Sequence, residues 1–94
     1  MLYVVTYDVH AHRLRRKVAQ VLQHYGRRVQ FSVFECHLSA GEARDVRRQL
    51  ARLRPRKKDA LFSVRFYRLC QSCQAKTEII GTGALTEDAS FYVV

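Results

Sequence analysis

The sequence predicts an α+β domain in which two helices cover one face of a single, mostly antiparallel sheet. A β-branched and aromatic run over residues 2–7 is followed by two stretches of helical apolar spacing, interleaved with runs of period two. The 94 residues allow one small domain, which buries about 60% to 65% of its unfolded surface. Apolar residues at 48%, with four Gly and one Pro, supply one core and exclude a disordered or loop-dominated chain.

Leu2, Tyr3, Val4, Val5, Thr6 and Tyr7 read as a strand buried on both faces in mid-sheet, stopping at Asp8. From Arg13 the period becomes helical, with Leu14, Val18, Val21, Leu22 and Tyr25 on one stripe and Gly26 placed as a left-handed C-cap. Arg13, Arg15, Arg16 and Lys17 crowd the first turns, where cations oppose the positive end of the helix dipole at a cost of a few tenths of a kcal/mol or more each. Charges placed against a local rule point to a use elsewhere.

Residues 28–38 read as strand, but the apolar phase flips from Val29, Phe31 and Val33 to Phe34, Cys36 and Leu38. A strict period of two cannot do this. Either a bulge or turn near residues 32–34 divides the strand, or a subunit interface covers both faces of its second half. Ser39 and Glu42 form a capping-box pattern ahead of a second buried stripe, Ala43, Val46, Leu50 and Leu53, which Pro55 ends. After a charged loop over 54–59, Phe62, Val64 and Phe66 alternate with Ser63, Arg65 and Tyr67 as a half-buried strand. A turn at Cys70 to Cys73, a short strand over 77–80, a small-residue linker over 82–90 and an apolar segment over 91–94 complete the chain. This order fits a ferredoxin-like sandwich over residues 1–81, packed through its open sheet face as a homodimer.

Seventeen Lys plus Arg against eight Asp plus Glu give a net charge of +9, and thirteen of those cations are Arg. Such a surface seeks polyanions, and forked guanidinium groups favour phosphate. The candidate contacts are Arg13, Arg15, Arg16, Lys17, Arg27 and Arg28, with a second set at Arg44, Arg47, Arg48, Arg52, Arg54, Arg56, Lys57 and Lys58. The alternative is a solvated face, but solvated faces usually alternate sign and these scarcely do. The longest apolar run, four to five residues, is too short to insert into a membrane. No charged-then-apolar leader precedes residue 2, so the mature chain is expected to start here. Three cysteines, two of them three apart, fit a reducing cytoplasm better than a stapled secreted domain.

Asp8 follows the central strand, where a carboxylate is held by rigid backbone yet meets solvent. Mg²⁺ takes about six oxygens, one or two from carboxylates, so a twofold axis near Asp8 would supply a pair. The other reading of Asp8 is a strand-end residue paired with a local Arg. His10 and His12 could serve a metal or act as a base, or could simply be solvated. Cys70 and Cys73 make half a zinc site, which Cys36 and His37 could complete, or merely a connection between strands.

Tyr3-Val4-Val5-Thr6-Tyr7-Asp8, Leu14-Arg15-Arg16-Lys17-Val18-Ala19 and Gly26-Arg27-Arg28-Val29-Gln30-Phe31-Ser32-Val33-Phe34-Glu35-Cys36 closely resemble the Cas-two (Cas2) family of CRISPR-associated proteins, as does the stretch from Tyr67 to Lys76. The similarity runs in order from residue 2 to about residue 81. It implies a ferredoxin-like homodimer that binds nucleic acid in CRISPR adaptation, an antiviral defence, beside the Cas-one (Cas1) integrase. Family members are also described as metal-dependent endonucleases on RNA or duplex DNA, which implies duplex DNA and single-stranded RNA as partners and Mg²⁺ or another divalent cation such as Mn²⁺. Carried over by position, Asp8 is the metal-binding and catalytic aspartate, and Tyr7, its motif neighbour, is the second catalytic candidate. Arg15, Lys17, Arg28 and Phe34 fall at positions implicated in activity. Residues 91–94 resemble a tail strand that extends the partner's sheet. Two functions follow: a nuclease using paired Asp8, or a scaffold that holds DNA without chemistry. A non-catalytic nucleic-acid-binding module of the same fold is a third reading.

Overall fold

Alternation along the first strand sets the architecture. The structure, a computed structural model, describes residues 1–57 and 60–88. In β1 (Leu2–Val9), Tyr3, Val5, Tyr7 and Val9 are buried, whereas Val4 and Thr6 are half-buried and Asp8 is exposed. The odd positions meet α1 (His12–Gln23) and α2 (Ala40–Arg52), which contribute Val18 and Leu22, and Ala43, Val46 and Leu50, to one core. On the face away from the helices Leu2 is also fully buried, so the burial on both faces expected of β1 is met at its start and falls away toward Asp8.

β2 (Arg27–Gln30), β3 (Val33–His37) and β4 (Phe62–Leu69) complete an antiparallel sheet of order β2-β3-β1-β4. This is the expected ferredoxin-like arrangement. The phase flip is explained by the first of its two alternatives: a two-residue turn, Phe31-Ser32, separates β2 from β3, and the register shifts between Arg28 and Gln30. Ser32 adopts a left-handed φ of 66°, and its carbonyl accepts from Tyr7 N at 3.1 Å, which ties the turn to β1.

The second helix begins as its sequence dictates. Ser39 Oγ accepts from Glu42 N at 3.1 Å, and Ser39 N donates to Glu42 Oε1 at 3.0 Å, so the capping box is closed. At the end of α1, Gly26 does not supply a left-handed cap. The cap residue, His24, is right-handed, and the positive-φ glycines are Gly81 and Gly83. Gly26 is required for close approach instead, because a Cβ there would run into Glu35 O and Cys36 Sγ and come within 2.9 Å of Cys36 Cα.

Two further expectations are corrected beyond β4. The turn at Cys70 to Cys73 is the start of a short helix, α3 (Gln71–Ala75). Residues 77–80 form no strand: Thr77 Oγ1 donates to Cys73 O at 2.8 Å, which turns the chain, and Ile79 and Ile80 are exposed with no strand beside them. A strand-like composition makes no strand without a partner ladder. The described part of the 82–90 linker is fastened to β3, since Thr86 N and Oγ1 donate to Glu35 Oε1 at 2.9 and 2.7 Å and His37 Nε2 donates to Thr86 O at 2.6 Å. The apolar segment over 91–94 lies outside the described residues.

Candidate nucleic-acid interface

Successive residues of a strand point to opposite faces, and this separates the two neighbours Tyr7 and Asp8. Tyr7 is buried on the helix side, its ring 6.3 Å from that of Phe34. Asp8 lies on the open face, opposite Ser63 of β4, in a shallow hollow that also borders Thr6, Arg65 and Tyr67. Among the described residues its carboxylate forms no hydrogen bond and no ion pair, so the expected pairing with a local Arg is not made. The described residues contain no group of three or more His, Cys, Asp or Glu placed to hold a metal ion. Asp8 is thus one hard, accessible oxygen donor per chain.

The cationic candidates divide in the same way. Arg28 donates to Tyr7 Oη at 3.2 Å and lies 5.4 Å over the Phe34 ring, a cation–π contact that fixes its guanidinium. Arg15 donates to Val9 O at 3.3 Å and to His12 Nδ1 at 2.8 Å. With Nδ1 accepting, His12 orients an arginine and does not act as a ligand through that nitrogen. Arg15, Arg16 and Arg28 line one cleft of about 250 Å³ between α1 and the β2–β3 hairpin, with His12, Tyr7 and Phe31 at its walls. Arg13, Lys17 and Arg27 lie outside it, Arg27 being opposite Glu35 across the β2–β3 ladder. A larger concavity of about 540 Å³, lined by Arg54, Arg56 and Lys57, holds part of the second basic set.

The role of His12 in orienting Arg15 has a signal in the sequence, the three-residue spacing that puts both on one helix face. Phe31, not among the candidate site residues, is placed at a hairpin tip by the divided strand.

The zinc reading fails on alternation. Cys36 is fully buried among the helix-facing side chains, His37 points the other way to Thr86, and Cys70 and Cys73 are exposed at α3. Burial, and then the nearby Glu35 charge, push the Cys36 thiol up to about 11. The Ser72 hydroxyl, followed by groups of Cys73, draws the exposed Cys70 thiol down to about 7. Cys70 is therefore expected to react first with iodoacetamide, its rate rising to a plateau above about pH 7 and falling tenfold per pH unit below. Mass spectrometry of the labelled native protein should find Cys36 unmodified; Cys36 labelling as fast as Cys70 would overturn this ordering.

Residues 1–77 match the family model described as CRISPR associated protein Cas2. The chain belongs to the Cas2 family. Among Cas2 relatives it is 41% identical, over the full length of both chains, to a protein of Chloroflexus aurantiacus named CRISPR-associated endoribonuclease Cas2 1. It is also 41% identical to the CRISPR-associated endonuclease Cas2 2 of Thermus thermophilus, covering 92% of this chain and 88% of that one. The crystal structure of Streptococcus pyogenes Cas2 at pH 6.5 superposes with a TM-score of 0.72 at 36% identity, over 86% of this chain and 100% of that chain. A chain of a partial Cas6-RT-Cas1–Cas2 complex gives a TM-score of 0.74 at 26% identity, covering 84% and 83%. No helix among the described residues is long and apolar enough to cross a membrane.

Proposed function

We propose that this Cas2 family member works as a homodimer that holds nucleic acid for spacer integration in CRISPR adaptation, beside a Cas1 integrase. The observation that carries this reading is the cleft in which Arg15, Arg16 and Arg28 converge with no carboxylate in its lining. Membership of the Cas2 family and the likeness to a chain of a Cas6-RT-Cas1–Cas2 complex support the Cas1 partnership. The half-exposed sheet face carrying Val4, Thr6 and Asp8 supports pairing with a second copy, because that is the face the helices leave uncovered.

Metal-dependent phosphodiester cleavage of RNA or duplex DNA is the second activity in this reading, favoured by the unpartnered Asp8 on that face and by the endoribonuclease and endonuclease names of the relatives. Asp8 from each of two copies would hold Mg²⁺ or Mn²⁺. A bound divalent ion supplies charge neutralisation at the scissile phosphate and a more acidic water. On the helix side of the sheet, away from Asp8, the chain's own arginines would hold other phosphates of the bound strand through charge-assisted hydrogen bonds, with Tyr7 and Phe34 orienting Arg28. Tyr7 is thus a positioning residue.

Duplex binding measured across a salt series tests the reading. Each neutralised phosphate contributes about 0.9 to the slope of log affinity against log salt, so replacing Arg15 and Arg16 with Ala is expected to flatten the slope by about 2 and to lower affinity. Lower affinity with an unchanged slope would mean that these side chains act by packing.

A further inference from the structure

Phe31 is the most exposed large aromatic among the described residues, at 77%, and it sits at the tip of the β2–β3 hairpin, where nothing in the fold uses its ring. The tip is not left to wander. Ser32 is held in a left-handed conformation and accepts from the backbone of β1, so the direction in which Phe31 projects is set by the sheet. A rigidly presented, solvent-facing aromatic ring offers its flat face to a partner.

The ring borders the Arg15, Arg16 and Arg28 cleft. Arg15 is oriented by Val9 O and His12, and Arg28 by Tyr7 and Phe34, so both guanidinium groups are fixed while keeping N–H groups free for a ligand. At about 250 Å³ the cleft is smaller than the roughly 300–1,000 Å³ of small-molecule pockets, so it admits a phosphate with part of its sugar but does not enclose a base as well. A base attached to a phosphate held there must emerge at the rim, where Phe31 stands.

We propose that the cleft and Phe31 form a subsite for an unpaired nucleotide, the three arginines taking its phosphate and the Phe31 ring stacking on its base. This rests on the nucleic-acid reading above and adds to it a residue, Phe31, that takes the base. A base inside a duplex offers no free face to a ring, whereas a single strand does, and stacking tolerates any base because each has a π face.

The test measures affinities of the full chain and its Phe31→Ala and Phe31→Tyr variants for four probes: a single-stranded DNA, the RNA of the same sequence, an abasic version of the DNA, and a blunt duplex. Phe31→Ala is expected to weaken single-strand binding by about 5- to 150-fold, the range for losing one stacked base. Phe31→Tyr should retain binding. Duplex and abasic affinities and the salt slope should be unchanged. Loss with either sugar supports the subsite, and the arm that shows it identifies the source. An equal loss on the abasic strand or the duplex, or no loss on any single strand, overturns it. Arg15→Ala, run in parallel, separates the two failures: if it weakens binding while Phe31→Ala does not, only the stacking fails, and if neither matters the nucleic-acid reading falls with it. Because Phe31 is exposed, its variants should melt like the parent, which a thermal scan checks.

Discussion

Asp8→Asn is expected to abolish Mg²⁺- or Mn²⁺-dependent cleavage while leaving the fold, the dimer and DNA affinity nearly unchanged. The substitution keeps size and hydrogen-bonding capacity and removes only the charge that would hold the metal. Loss of a direct ligand should exceed the roughly 10- to 100-fold cost of losing an outer-shell partner of a metal site. The Asp8 side chain is exposed and makes no hydrogen bond or ion pair among the described residues, so stability should move by no more than about 0.5 kcal/mol. Cleavage assays on RNA and duplex DNA with titrated metal, beside sedimentation of both proteins, check this. Spacer integration with the partner integrase should survive the change, because the arginines that would hold DNA lie on the other side of the sheet. Lost integration with normal assembly would make the metal site part of the physiological mechanism, and persistent cleavage would place the chemistry elsewhere.

The largest effect on stability is expected from Gly26→Ala. The new methyl would meet the Glu35 carbonyl, the Cys36 thiol and the Cys36 Cα, two of them backbone atoms of β3 that cannot swing aside. Overpacking of this kind costs on the order of 3 kcal/mol, a large share of the roughly 5–15 kcal/mol that holds a domain together. For a domain of this size that corresponds to a fall in melting temperature of roughly 15 °C. Nucleic-acid affinity should fall as well, since Gly26 immediately precedes the strand that carries Arg28. An unchanged melt would mean that β2 and β3 separate more easily than their packing implies.

What the sequence made legible follows from what each pattern specifies. Helical stripes and the Ser39 capping box specify local geometry and mark the two long helices, whereas the five-residue α3 carries no such stripe and reads as a turn. The break in the 28–38 strand was visible as a phase flip, yet Phe31-Ser32 carries no Gly, Asn or Pro, because a tertiary hydrogen bond from Tyr7 N replaces the usual turn chemistry. That bond joins residues 25 apart and leaves no local trace. Gly26 was recognised as a required glycine for the wrong reason, since composition does not distinguish a left-handed cap from a close approach. Residues 77–80 were misread because β-propensity describes a surface fit and says nothing of whether a neighbouring strand exists. In the candidate site, the position of Asp8 at the end of β1 was legible. Its separation from Tyr7 followed from the same two-residue period, which grouping the pair as one motif concealed.

The sheet order also governs how the protein emerges from the ribosome. The first strand made, β1, occupies a central place, and one of its two neighbours, β4, is paired through Val9 with Phe62 and Leu2 with Leu69. At about 5–20 residues per second, synthesis from β1 to the end of β4 takes roughly 3–12 s. Throughout that interval Val5, Tyr7 and Val9 lack their complete sheet, and an apolar strand waits with one edge unpaired. The hairpin through Phe31-Ser32 is available much earlier, because it needs only local closure before it can dock on β1. A nascent chain of this topology is therefore most prone to association just before its last strand is delivered, and slower translation of residues 40–69 lengthens that exposure.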